Sequence, residues 1–131
     1  MADSLLLREA LAILKELDAA EASQPFQPLI PDPRRTVRHA CRLEIILNYW
    51  RDEALVRSWA LTRDLSAGGL SCLHREALPI GSSFAIKLPL LAGGHHEVQA
   101  QVRHSKAVAG GWHLLGLMFL EMIDPRKFHK P

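Results

Sequence analysis

Only two cysteines occur in the 131 residues, Cys41 and Cys72, and they lack a C-x-x-C spacing. Both fall in apolar segments, so they read as small buried hydrophobes rather than disulfide halves or metal ligands. Aromatic residues are scarce at 6%, which argues against a groove that stacks single-stranded nucleic acid base upon base. No apolar run approaches the roughly 18 residues of a membrane span. Met1 to Leu17 mixes leucine with acidic and basic side chains, unlike a secretory leader. The expectation is a cytoplasmic chain with no membrane insertion. An excess of one charge is missing too: the net +2 is small for a partner of long nucleic acid. That figure conceals a split, because residues 1–21 hold two basic and five acidic side chains, net −3, which leaves +5 over the remainder. The basic remainder suits a small anionic ligand.

Signatures of catalysis are equally thin. Leu65-Ser66-Ala67-Gly68 lacks the leading glycine of a nucleophile elbow, and no histidine is placed by sequence to activate Ser66. Gly110-Gly111 runs into an apolar segment rather than a lysine-bearing helix, so it is not a phosphate loop. His95-His96 sits in a glycine hairpin without the spaced cysteines or carboxylates that would complete a metal site. We expect no enzyme, no metal and no cofactor.

What is present is 48% apolar residues, enough for one buried core. Leu6, Leu7, Ala10, Leu11, Ile13, Leu14 and Leu17 recur at spacings of three and four, which predicts an amphipathic helix over 1–22 capped by Asp3 or Ser4. A helix this short must pack its leucine face on something: its own domain, a second copy in a homodimer, or another protein. Pro25, Pro28, Pro31 and Pro33 then mark a linker over 23–33. Beyond it, alternation predicts strands at Cys41 to Tyr49, Leu55 to Arg63, Leu70 to Leu73, Phe84 to Leu90 and Glu97 to Val108. Trp112 to Leu120 is apolar almost throughout, as in a strand buried on both sides. Turns are expected at 51–53, 66–69, 79–81, 93–94 and 110–111. About six antiparallel strands with short connections favour a mainly β fold, a closed six-stranded barrel over 34–123 that leaves no bare edges. Asp124-Pro125 starts a C-terminal tail or short helix over 124–131.

Two segments carry the candidate chemistry. Arg34, Arg35 and Arg38 follow the prolines, and a guanidinium presents a planar fork that pairs with phosphate and stacks on flat rings. Asp64-x-Ser66-x-x-Gly69 follows the second strand; a carboxylate there accepts from adjacent donors on a guanine edge, and Gly68 and Gly69 permit close approach. Taken alone, the first is a solvated basic cluster and the second a turn.

In that order, Arg34-x-x-x-Arg38 and Asp64-x-Ser66-x-x-Gly69 resemble the PilZ domain family of bacterial cyclic di-GMP receptors. The resemblance continues through Leu78-Pro79-Ile80-Gly81 and Leu115-Gly116-Leu117-Met118-Phe119, covering roughly residues 34–121. It implies a non-catalytic receptor whose Arg34 and Arg38, helped by Arg35, contact phosphates and guanines. It further implies that Asp64 and Ser66 bond a guanine edge while Gly68 and Gly69 keep the surface open. A protein partner governing motility, biofilm or exopolysaccharide would receive the signal. Pro33 stands where many relatives carry arginine or a polar residue, which leaves one or two ligand molecules open. The competing reading is a protein-interaction module that acts through the N-terminal helix without nucleotide.

Overall fold

A computed structural model of the protein describes residues 4–22 and 38–130. The leucine periodicity forms helix α1 (Ser4–Ala22), and the alternating segments form seven strands. These are β1 (His39–Ala40), β2 (Glu44–Arg51), β3 (Ala54–Leu65), β4 (Gly69–His74), β5 (Ser83–Pro89), β6 (His95–Ala107) and β7 (His113–Phe119). Six of them close antiparallel in the order β3, β2, β5, β6, β7, β4 and back to β3. The short β1 adds to the far end of β3, with His39 opposite Leu65 and Ala40 opposite Asp64. Inward side chains fill the barrel: Ile45, Leu47 and Tyr49 from β2, Phe84, Ile86 and Leu88 from β5, and Val98, Ala100 and Val102 from β6. The tail after residue 123 makes one 3-10 turn at Pro125–Lys127 and adds Phe128 to that core.

The strand expected from Cys41 begins only at Glu44. Thr62 causes the delay: its hydroxyl donates to the Cys41 carbonyl at 2.9 Å and accepts from the Leu43 N–H at 2.8 Å, taking the place of ladder bonds. The β2–β3 hairpin turns at Asp52 (φ 49°) and Glu53 (φ 67°), both left-handed, as the right-handed twist of such a hairpin requires. The last strand differs from expectation. β7 is not buried on both sides; Leu115, Leu117 and Phe119 point inward, whereas Gly116 and Met118 lie half-buried on the outer wall. Its near-continuous apolar run reflects Leu114 packing outward against the helix layer.

Helix α1 lies on the outside of the barrel. Ala10, Ile13 and Leu14 form a second core with Leu61, Leu73 and Trp112. Trp112 is fully buried there, donates its indole N–H to Glu9 at 3.3 Å, and lies edge-on to Trp59. Burying a leucine such as Leu14 contributes about 1.5–3 kcal/mol. Of the surfaces that the leucine face was free to choose, the barrel takes it. The possible homodimer through that face gains no support, since Ala10, Ile13 and Leu14 at its centre are covered within the chain.

His74 is the buried polar residue with the largest consequence for stability. It is fully inaccessible, with Nε2 at 2.7 Å from the Ser58 hydroxyl and Nδ1 within 2.9 Å of the Glu76 carbonyl. Burial, followed by the neighbouring His113 and Arg51, pushes its pKa down to about 4 from 6.5. The folded state therefore holds His74 neutral while the unfolded chain binds a proton below pH 6.5, so stability falls as pH drops through that window. Between pH 7 and pH 5 we expect a loss of about 2 kcal/mol by urea denaturation. His74→Gln should flatten that slope, and an unchanged slope in the variant would show that another group is responsible.

Candidate functional site

The site begins at an irregularity in β3. Thr62 pairs with Cys72 and Asp64 with Ser71, so Arg63 is an extra residue, a β-bulge. Alternation would send one of two consecutive side chains into the core. The bulge instead frees both Arg63 and Asp64 to the exterior and returns Leu65 to the interior, where it is fully buried. Arg63 turns toward the helix, donating to Asp18 at 3.0 Å and to Glu21 at 2.7 Å. Arg42 joins them, bonding Asp18 at 2.6 Å and the Arg63 carbonyl at 2.8 Å.

Asp64 turns the other way. Its Oδ1 accepts from Arg38 at 3.0 Å and from the Ser71 backbone N–H at 3.2 Å. Among the described residues, none donates to Oδ2, and the Asp64 side chain is 23% exposed. Arg38 reaches Asp64 because β1, immediately after it, is clamped beside β3. Its side chain is 65% exposed, so the pair itself contributes little stability but fixes where the guanidinium stands. The Asp64 charge also adds to burial in pushing the Cys72 thiol up to about 12, which leaves that cysteine inert.

The turn after β3 is held by its own serine. Ser66 is buried; its hydroxyl donates to the Gly69 carbonyl at 3.1 Å and accepts from the Gly69 N–H at 3.2 Å. The expected guanine donor is thus engaged in the turn. Gly68 contributes its carbonyl to the Phe119 N–H at 2.8 Å, stitching the turn to the end of β7. Gly69 is demanded by packing rather than by open surface. A Cβ there would overlap the Leu117 carbonyl oxygen and lie 3.3 Å from the Met118 Cα. Arg34 and Arg35 lie outside the described residues; Arg38, Asp64 and the turn from Ser66 to Gly69 come together on one wall.

Sequence reasoning passed over three further groups on that wall. Ser71 lies opposite Asp64, and Gly116 opposite Ser71, while His104 follows opposite Gly116. A second bulge, at Arg103 in β6, turns Arg103 and His104 outward. Both bulges had a faint sequence signal, a polar run that breaks alternation: Thr62-Arg63-Asp64 and Arg103-His104-Ser105-Lys106. Among the described residues no three His, Cys, Asp or Glu side chains converge as a metal site, and no helix is long and apolar enough to cross a membrane.

The PilZ domain family model matches residues 32–129. Among solved structures, the PilZ domain of YcgR from Escherichia coli, determined with c-di-GMP, is similar at 23% identity and a TM-score of 0.53, covering 68% of this chain and 79% of that one. The Bacillus subtilis inhibitor of motility MotI/DgrA is similar at 19% identity and the same TM-score of 0.53, over 78% of this chain and 51% of that one. At such identities the likeness concerns the fold. No match was found among curated proteins.

The packing at Gly69 is directly testable. Gly69→Ala should cost about 1–3 kcal/mol in urea denaturation, because the β7 backbone cannot yield as a flexible side chain would. A variant as stable as the parent would show that β4 and β7 are farther apart than described.

Proposed function

The chain belongs to the PilZ domain family, and from that premise we propose that it is a non-catalytic receptor for cyclic di-GMP. The observation that carries the reading is the Arg38–Asp64 pair at 3.0 Å, which joins the two motifs across β1 and β3. In this reading the outward oxygen of Asp64 accepts from the adjacent N–H donors of a guanine edge. Arg38 turns its remaining donors to phosphate and its flat face to a base. Arg34 and Arg35 add cation to the same ligand. Ser66 and Gly68 shape the turn, and Gly69 lets β4 lie close to β7 beneath it.

The magnitudes suit a second-messenger sensor. Charge-assisted hydrogen bonds contribute about 1.5–3 kcal/mol each and base stacking roughly 1–3, against about 1–2 kcal/mol per residue ordered. A few such contacts reach about −8 kcal/mol, near micromolar affinity.

The relay in this proposal runs through the bulge. Arg63, next to Asp64, holds the acidic end of α1 through Asp18 and Glu21, so a ligand drawn onto Asp64 bears on the seat of the helix. A cytoplasmic protein partner controlling motility, biofilm or exopolysaccharide would read that change. The alternative of a helix that acts without nucleotide has less support, because the centre of its apolar face is covered by the barrel.

Calorimetric titration of the full chain with cyclic di-GMP tests the assignment. Arg38→Ala and Asp64→Ala should each weaken binding at least about tenfold; affinities equal to the parent's would remove both residues from the site. For the relay, amide hydrogen exchange in 4–22 should change when cyclic di-GMP is added. Identical protection with and without ligand would refute it.

A further inference from the structure

Between β1 and β2 the pairing with β3 changes register by one residue. Glu44 of β2 lies opposite Leu61, whereas Ala40 of β1 lies opposite Asp64, so residues 41–43 face only Thr62 and Arg63. Had the β2 register continued, Cys41 would stand opposite Asp64 and Ala40 opposite Leu65. Arg38 would then lie one residue, about 3.3 Å, farther from Asp64 along β3. Its side chain would also leave from the other face, because a slip of one residue reverses the alternation. The Arg38–Asp64 pair at 3.0 Å therefore depends on whatever holds this offset.

Two clamps hold it. From inside, the hydroxyl of the fully buried Thr62 donates to the Cys41 carbonyl at 2.9 Å and accepts from the Leu43 N–H at 2.8 Å. The neighbouring groups keep backbone partners: the Cys41 N–H donates to the Arg63 carbonyl at 3.2 Å and the Thr62 N–H to the Leu43 carbonyl at 2.9 Å. One hydroxyl serves both remaining groups because it donates and accepts at once. A valine of the same shape would leave them unpaired in the core, and the regular register would recover them as ladder bonds. From outside, Arg42 donates to the Arg63 carbonyl at 2.8 Å and to Asp18 Oδ2 at 2.6 Å, while Asp18 Oδ1 accepts from Arg63 at 3.0 Å. A single carboxylate of α1 thereby ties residues 41–43 to the bulge.

We propose that Thr62 is a positioning residue for the ligand: its hydroxyl sets the one-residue offset of β1 and so places Arg38 beside Asp64, with Asp18 of α1 as the outer clamp. Neither side chain touches the ligand. This rests on the cyclic di-GMP reading above and deepens it, because it names the residues outside both motifs that keep the arginine arm in its binding register. It also gives the helix a part in affinity. Whatever seats α1 on Arg42 seats the arm, and the coupling between helix and ligand is reciprocal.

The test is calorimetry on the full chain with cyclic di-GMP, comparing the parent with Thr62→Val, Thr62→Ser and Asp18→Asn, and repeating Thr62→Val in an Arg38→Ala background. Nuclear Overhauser contacts between Ala40 and Asp64 read the register directly. Thr62→Val should weaken binding at least about tenfold and lose the Ala40–Asp64 contact, whereas Thr62→Ser, which keeps the hydroxyl, should retain both. In the Arg38→Ala background Thr62→Val should add less than about twofold, because it acts through that arginine. Asp18→Asn should weaken binding several-fold, although removing a negative charge would by electrostatics alone favour an anion. If the parent binds and a Thr62→Val protein that is folded by circular dichroism binds equally well, or loses as much affinity without Arg38 as with it, Thr62 does not position the arm and the receptor reading stands. If Thr62→Val does not fold, Asp18→Asn decides, and affinity equal to or tighter than the parent's overturns the proposal. If the parent takes up no cyclic di-GMP, the receptor reading falls and the binding role of Thr62 falls with it, while the Ala40–Asp64 contact still shows whether the hydroxyl sets the register.

Discussion

The bulge at Arg63 is the constraint on which the rest of the molecule depends. A regular strand cannot expose two successive side chains on one face; β3 does so by inserting one residue against β4. That single irregularity gives Arg63 to the helix and Asp64 to Arg38 on the outer wall, and still returns Leu65 to the core. Thr62 prepares for it on the inner side by bonding the Cys41 carbonyl and the Leu43 amide where the ladder is interrupted. Without the insertion, either the anchor of α1 or the Asp64 carboxylate would be turned inward, where an unpaired charge is prohibitive.

The helix and the Arg38–Asp64 pair are consequently mechanical neighbours. Asp18 and Glu21 hold Arg63 and Arg42, and the next residue along β3 holds Arg38. These ion pairs are partly exposed and individually modest, which would suit a relay better than a lock. The leucine face of α1 supplies the adhesion, and the ion pairs at its end supply the sensitivity. The receptor proposed above would need no large movement, only a change in how firmly one end of a helix is seated.

Much of this was legible in the chain. Period-two alternation in β5 and β6 identified inward residues such as Ile86 and Val98, and the spacing of the leucines identified α1, because both follow from local geometry. The two motifs meet where Arg38 pairs with Asp64. What stayed hidden was set by partners distant in sequence. The leucine face did not say that Leu61, Leu73 and Trp112 would receive it. The bonds of Ser66 to Gly69 exist only once the turn closes. The row through Ser71, Gly116 and His104 depends on the registers of four strands, and a register is decided by pairing across the barrel rather than within any one segment.

The most direct measurement of the central claim is a map of backbone amide shifts as the isotopically labelled full chain is titrated with cyclic di-GMP. The account predicts saturable shifts concentrated at Arg38, Asp64 and the turn from Ser66 to Gly69, with little change at Ile46 to Asn48 and Ala85 to Lys87 on the β2–β5 wall. Shifts centred on that other wall, or none at all, would contradict it.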